Sequence, residues 1–276
     1  MRRKQLSNEA LYQDYMIGKQ TLAQLSDAYH LSQRQIRRRL DKVKHKTISQ
    51  CVPCEVVVQM DASYWSETDG VLVMKDAYKS GVLWYKFLNK KETVADYKEG
   101  IDCLKSLGYD IIGAVGDGLK GLPQMLQDIP FQLCQFHEVK FVRFKLSNHP
   151  KTDAGRELLN IAKMMTHTDK ESFVGIFERW LTKWDKYLKE RTIGDDGKTH
   201  YTHQRLRTAA LSIKRNMSHL WTSYDRPELN MPNTNNAMES FFSTLKRYVD
   251  NHHGMKLQHK RTFIEAYFID YNTNKY

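Results

Sequence analysis

Between residues 55 and 146 the hydrophobic pattern alternates between a period typical of strands and a period typical of helices. Five short strands are predicted by runs rich in β-branched and aromatic residues, at 55–60, 71–74, 82–87, 109–115 and 131–136. Helices are predicted where apolar residues recur every three to four positions, from Thr93, at 119–126 and at 137–146. The turn-like stretch 76–81 makes the first three strands an antiparallel meander, so the predicted order is βββαβαβα.

This order is typical of a ribonuclease-H-like fold, and we expect an α/β catalytic core. Amphipathic stretches at 153–165, 170–190 and 202–221 predict an all-α insertion, with an exposed turn at 194–198. We divide the chain into a small helical domain, the first part of the core, the helical insertion and the C-terminal helices of the core, at 1–48, 49–148, 149–232 and 233–276.

The first 48 residues predict a helix-turn-helix. A helix at 8–16 precedes a short amphipathic helix that begins at Thr21, and Ser32 caps a third helix at 33–43. The third helix projects four candidate DNA-binding side chains, Arg34, Arg37, Arg38 and Arg39. The alternative interpretation is a solvated basic helix with no partner.

The distribution of charge supports the helix-turn-helix interpretation. The chain has 43 Lys and Arg against 32 Asp and Glu, a net charge of +11, and residues 1–50 hold 11 basic and 4 acidic side chains. A polyanion is therefore the expected partner. No apolar run approaches the length of a membrane span, and four cysteines are too few for a disulfide framework, so we expect a soluble cytoplasmic protein.

Two cysteine motifs leave alternatives open. Cys51 and Cys54 form either half of a zinc site or a pair of reduced thiols that lead into the first strand. Cys134 and His137 also have the spacing of metal ligands, but no partner pair lies nearby in the sequence. We expect Cys134 to be buried on the fifth strand, and His137 to face the active site at the end of that strand.

Three carboxylates form the candidate catalytic site. Asp61 and Asp117 follow the first and fourth strands, which would be neighbours, and Glu239 lies in the first turn of a helix predicted within 233–247. Such a cluster suits two Mg²⁺ ions, with Mn²⁺ as a substitute. Lys246 and Arg247, two turns further on, would contact phosphate. Taken singly, each carboxylate also fits an ordinary turn, cap or helix position.

Four motifs in order add a family resemblance: MDASYW at 60–65, GDG at 116–118, CQFH at 134–137 and NNAMESF at 235–241. Together they resemble the DDE transposases of Mutator-type bacterial insertion sequences. Those enzymes carry a C-x-x-H signature between the second Asp and the Glu, and a helical insertion before the Glu. The resemblance runs from about residue 50 to the C-terminus.

The resemblance implies a transposase that binds the ends of an insertion sequence, nicks them by metal-assisted hydrolysis and catalyses strand transfer. Asp61, Asp117 and Glu239 would hold the metal ions, with His137 as a further catalytic residue. The expected partners are double-stranded DNA, as terminal inverted repeats and target, and further copies of the chain in a synaptic complex in the bacterial nucleoid. Two alternatives remain: a catalytically silent helix-turn-helix protein, and a nuclease without strand transfer.

Overall fold

A computed structural model describes residues 7–16, 18, 20–43, 52–79, 81–195, 197–252 and 254–273. Within these ranges no helix combines the length and apolar character that crossing a bilayer requires. The predicted linker at 44–50 and Cys51 lie outside them.

A mixed five-stranded sheet forms the centre of the molecule. Its strands are β1 (Glu55–Tyr64), β2 (Gly70–Asp76), β3 (Val82–Leu88), β4 (Asp110–Gly116) and β5 (Phe131–Leu133). They lie in the order β3-β2-β1-β4-β5, with β1, β4 and β5 parallel and β2 and β3 antiparallel. The predicted meander is therefore confirmed, as is the neighbouring position of the first and fourth strands.

Three helices complete this part of the chain: α4 (Val94–Ser106), α5 (Leu122–Met125) and α6 (Gln135–Leu146). The order βββαβαβα is confirmed, but several boundaries move: β1 continues past its predicted end to Tyr64, and α6 begins at Gln135, before its predicted start. The helix predicted at 119–126 is reduced to a single turn, because Gly121 has a φ of 91° at its N-cap and Pro123 follows. The fifth strand ends at Leu133, three residues before its predicted end, since its parallel pairing with β4 ends at that residue.

The insertion is not entirely helical, contrary to expectation. It contains α7 (Asp153–Met164), α8 (Lys170–Lys189) and α9 (Gln204–Leu220), but also a hairpin of β6 (Arg191–Ile193) and β7 (Thr199–Tyr201). The hairpin encloses the predicted turn, where Gly197 has a φ of 73°. Thr and Ile side chains beside that turn favour strands over a continued helix. A short α10 (Thr222–Asp225) and a 3₁₀ turn at Pro227–Leu229 lead back to the core.

The N-terminal segment forms α1 (Asn8–Met16), α2 (Leu22–Tyr29) and α3 (Gln33–Leu40). Thr21 and Ser32 each cap a helix through a capping box. Ser32 is the predicted cap, whereas Thr21, predicted as the first residue of its helix, is the N-cap before Leu22. The third helix ends at Leu40, before the predicted Val43, since Asp41 is already its C-cap.

Two long helices, α11 (Asn236–Asp250) and α12 (Leu257–Thr273), end the described chain. They share one apolar cluster with the N-terminal helices, to which Leu25, Ile36, Phe241 and Phe268 belong. A second cluster joins the sheet to α4, α6 and the insertion helices. The N-terminal helices therefore pack directly against the C-terminal helices of the core.

Candidate active site

The end of the β1–β4 pairing brings two carboxylates to one level of the sheet. The last parallel pair is Gln59 with Val115, and Asp61 and Asp117 each lie two residues beyond it. The sequence predicted that Asp61 lies at the end of its strand, and this prediction is wrong. Asp61 lies inside β1, because β1 continues to Tyr64 through antiparallel pairing with β2, where Asp61 lies opposite Val73.

His137 lies between the second and third carboxylates. Its Nδ1 is 2.7 Å from Asp117 Oδ1, and its Nε2 is 3.5 Å from Glu239 Oε1. Glu239 is in the first turn of α11, as predicted, and Lys140 Nζ is 2.6 Å from the same Oε1. The structure thus brings together the three carboxylates and the histidine that the sequence selected, and adds a lysine that it missed.

The expectation that His137 ends the fifth strand is wrong. The strand stops at Leu133, Cys134 is the N-cap of α6, and His137 lies in the first turn of that helix. The backbone N–H of Cys134 still donates to the carbonyl of Gly116 at 2.8 Å, so the start of α6 is fixed to the end of β4. This bond places His137 beside Asp117. Cys134 is fully buried, as expected, but at a helix terminus.

Burial and neighbouring charges shift the pKa values of Asp61 and His137. Burial, followed by the charge of Asp117, raises the pKa of Asp61 to about 8. Burial alone would lower the pKa of His137, but the Asp117 carboxylate and Cys134 raise this pKa to about 10. Without a cation, the site therefore holds protons at neutral pH on both the acid and the imidazole.

Asn235 connects the three segments of the site and was missed by sequence reasoning. Its side chain is fully buried and donates through Nδ2 to the carbonyl of Met60 at 3.0 Å, directly before Asp61. Its backbone N–H donates to Cys134 Sγ at 3.1 Å, and its carbonyl accepts from the N–H of Glu239 at 3.2 Å. An asparagine in a polar cluster before a helix predicts only a cap, so no sequence signal indicated these contacts.

The residues present fit a hard divalent cation. Three carboxylates supply the oxygen ligands that Mg²⁺ prefers. Asp117 Oδ1 and His137 Nδ1 are buried and face each other at 2.7 Å as an ion pair, but neither makes an aligned hydrogen bond with a described residue. Asp117, Cys134 and His137 also place one donor atom each within 4.8 Å of one another. Asp117 is thus the third donor that a metal site at Cys134 and His137 would need and that the sequence did not reveal. The Cys134 sulfur, however, already accepts the Asn235 N–H.

The candidate DNA-binding residues lie on two other helices. Lys246 and Arg247 are exposed on α11. On α3, Arg34, Arg37 and Arg38 are exposed, whereas Arg39 is partly buried. Their spacing places Arg34, Arg37 and Arg38 on one face of α3 and turns Arg39 away from it. Arg37 also lines a cavity between α3 and the connection from α11 to α12.

The predicted zinc pair is only half described. Cys51 lies outside the described residues, and Cys54 is a partly buried free thiol. Its sulfur lies 3.8 Å from Lys79 Nζ.

Comparison with known proteins gives one match to a family and several to structures. The profile of the family "Integrase core domain" matches residues 222–275, which include Glu239 and helices α11 and α12. No curated protein matches the chain. The similarity in this segment supports a nucleic-acid-processing enzyme of the integrase and transposase class.

Three solved structures are similar to the chain at low identity. The Drosophila P element transposase strand transfer complex has a TM-score of 0.45 at 11% identity, over 99% of this chain and 94% of that one. A simian T-cell lymphotropic virus intasome with the PP2A regulatory subunit B56 gamma has a TM-score of 0.24 at 12% identity, over 58% and 69%. The Mos1 strand transfer complex has a TM-score of 0.21 at 13% identity, over 80% of each chain.

Proposed function

We propose that this protein is a DDE transposase of the Mutator type, which nicks the ends of a DNA element and joins them to a target. The observation that carries the proposal is the convergence of Asp61, Asp117 and Glu239 around His137, at the edge where the β1–β4 pairing ends. The integrase-core similarity of residues 222–275 supports it, since that segment carries Glu239. Helices α1–α3 would recognise the element ends, and at least two copies would hold two ends together.

The three carboxylates would hold the divalent cations. Bound there, Mg²⁺ or Mn²⁺ would supply Lewis-acid activation of the phosphodiester and of the attacking oxygen. The protonation states of Asp61 and His137 decide when the three carboxylates are free to bind these cations. Asp61 must lose its proton before all three carboxylates are charged, because its pKa lies near 8. Protonated His137 keeps Asp117 and Glu239 together until then.

Two successive displacements would use this arrangement. Water attacks a phosphodiester at the element end, the P–O3′ bond breaks, and a free 3′-hydroxyl remains on the element strand. That hydroxyl then attacks a phosphodiester of the target and displaces its 3′-oxygen, so no covalent bond to the protein forms. Lys140 Nζ and His137 Nε2 border Glu239 and can donate to the phosphate oxygens during both steps.

The test uses labelled DNA with the inverted repeats that flank the gene, a target plasmid and Mg²⁺. We expect nicking and joined products from the wild type and neither from Asp117→Asn. Asp110→Asn is the matched control, because Asp110 is exposed at the opposite end of the same strand. Products that persist in Asp117→Asn would contradict the assigned site. Nicking without joining would identify a nuclease, and binding without nicking would identify a silent DNA-binding protein.

A further inference from the structure

Two antiparallel helices lead away from the candidate active site. Near the start of α6, Gln135 Nε2 donates to the carbonyl of Leu220 at 2.9 Å, at the end of α9. One turn on, Asn216 Nδ2 donates to Glu138 Oε2 at 2.8 Å. At the far end of α6, Arg205 Nη2 donates to the carbonyl of Phe144 at 2.9 Å. The two helices therefore lie side by side along the whole of α6, which carries His137 in its first turn.

Charge on this helix pair has almost one sign. The pair carries seven cations, three on α6 and four on α9: Lys140, Arg143, Lys145, Arg205, Arg207, Lys214 and Arg215. Its single carboxylate is Glu138, which is buried, is hydrogen-bonded by Ser212 and Asn216, and lies close enough to Arg215 to feel its charge. Of the seven cations, Lys140 alone has an ion pair with a carboxylate among the described residues. By contrast, α8 mixes five cations with three carboxylates.

Apolar side chains are exposed among these cations. Phe144 is 72% exposed and Leu211 is 45% exposed, although both belong to well-packed helices. Lys145 Nζ lies 5.5 Å from the Phe144 ring centre, over its face. Exposed aromatic rings interleaved with an excess of cations are typical of surfaces that bind nucleic acid, where cations contact phosphates and rings contact sugars or bases.

We propose that the exposed surface of α6 and α9, defined by Arg143, Phe144, Arg205, Leu211 and Arg215, binds the DNA strand that leads into the active site. The proposal rests on the transposase function proposed above and names where its substrate runs. Phe144 lies seven residues after His137, about 10 Å along the helix. Because one strand of B-DNA advances about 3.4 Å along the helix axis per nucleotide, the surface accommodates the first few nucleotides beside the scissile bond.

The test measures duplex binding in EDTA over a range of salt concentrations, so that no catalysis is needed. The variant is Arg143→Gln with Arg215→Gln. We expect the slope of log affinity against log salt to become shallower by about 2, since each phosphate contact contributes about 0.9. The matched control is Arg179→Gln with Lys186→Gln on α8, two exposed cations on a helix of mixed charge. We expect its slope to stay that of the wild type.

A second arm tests the aromatic side chain. Phe144→Ala should weaken binding to a DNA end with unpaired bases about tenfold, with a smaller effect on a closed duplex. Ile193→Ala, a change at an equally exposed residue on the hairpin, should have no effect on either.

An unchanged salt slope in the Arg143 and Arg215 variant would overturn the proposal, as would equal slopes in that variant and the α8 control. Stronger binding of an RNA duplex than of DNA would also overturn it. The proposed function fails separately, if the wild type binds DNA but never cleaves it with Mg²⁺.

Discussion

His137 and His252 illustrate how two regions of this molecule use a shielded histidine in opposite ways. His137 lies between Asp117 and Glu239, and its pKa is raised to about 10. His252 follows α11 in the apolar cluster, with its ring centre 4.0 Å from that of Tyr15 and 5.0 Å from that of Phe263. Burial there lowers its pKa to about 4.

The difference shows that neighbouring carboxylates, more than burial, decide whether a shielded imidazole is charged. Burial penalises the charged form of both rings, but only His137 has carboxylates that outweigh this penalty. The site therefore holds a charged imidazole, and its cost in stability falls on the protonated Asp61, whereas the other region keeps its imidazole neutral between α1 and α12. Four predictions test this contrast.

The largest effect is expected at Asp61. Asp61→Asn should reduce DNA cleavage at least about a hundredfold, because metal-ion catalysis is worth several kcal/mol. It should also stabilise the cation-free protein. The folded pKa of Asp61 lies above its ordinary value of 3.8, so the wild type loses stability as pH rises from 4 to 8, and asparagine avoids this loss.

Thermal unfolding at pH 5 and pH 8 measures the stability gained by Asp61→Asn, which should be larger at pH 8. Asp110→Asn, on the exposed start of β4, should change neither activity nor the pH dependence of the melting temperature. A wild-type cleavage rate in Asp61→Asn would refute its place in the site.

The second effect concerns acid stability. The folded pKa of His252 is below its ordinary 6.5, so the unfolded chain takes up a proton first and stability falls as pH drops from 6.5 towards 4. His252→Phe retains an aromatic ring and removes this loss, about 2 kcal/mol in the free energy of unfolding at pH 4.5. Urea denaturation at pH 7.5 and 4.5 measures it. The exposed His259→Gln is the control, and equal acid sensitivity of the wild type and His252→Phe would count against the account.

A third prediction compares two buried asparagines, one in each region. Asn235 bonds to the Met60 carbonyl beside the site, and Asn272 bonds to the backbone of Val82 from α12. Alanine at either position should lower stability by about 1–3 kcal/mol, because buried backbone groups lose their partners. Only Asn235→Ala should raise the Mg²⁺ concentration needed for half-maximal cleavage, by about tenfold. Equal Mg²⁺ requirements in the two variants would assign Asn235 a purely structural role.

The smallest effect separates the arginines of α3. Arg34→Ala should weaken DNA binding by about 1 kcal/mol and reduce the salt slope by about 1, since Arg34 is exposed and does not line the cavity. Arg37→Ala should have less effect, because Arg37 lines the cavity beside α12. Equal losses of DNA affinity for the two variants in a gel-shift series would contradict this distinction and indicate that both arginines contact DNA.

The existence and sequence of the five strands, and the place of Glu239 in the first turn of α11, could be predicted because hydrophobic period and helix starts are local properties. The place of Asp61 inside β1 could not, since β1 is extended to Tyr64 by its pairing with β2. Nor could the start of α6, since it depends on where β5 stops pairing with β4. The contacts of Asn235 could not be predicted either, because its partners Met60 and Cys134 are distant in sequence. The hairpin after α8 was missed because each of its strands has only three residues.

The most direct test of the central claim is calorimetric titration of Mn²⁺ into the wild type and Asp117→Asn at pH 7.5, in two buffers of different ionisation enthalpy. If Asp61, Asp117 and Glu239 form one cation site, the wild type binds Mn²⁺ and releases protons from Asp61 and His137, so that the heat depends on the buffer. Asp117→Asn should bind far more weakly. Equal affinity in the two proteins, or a heat independent of buffer, would contradict the account.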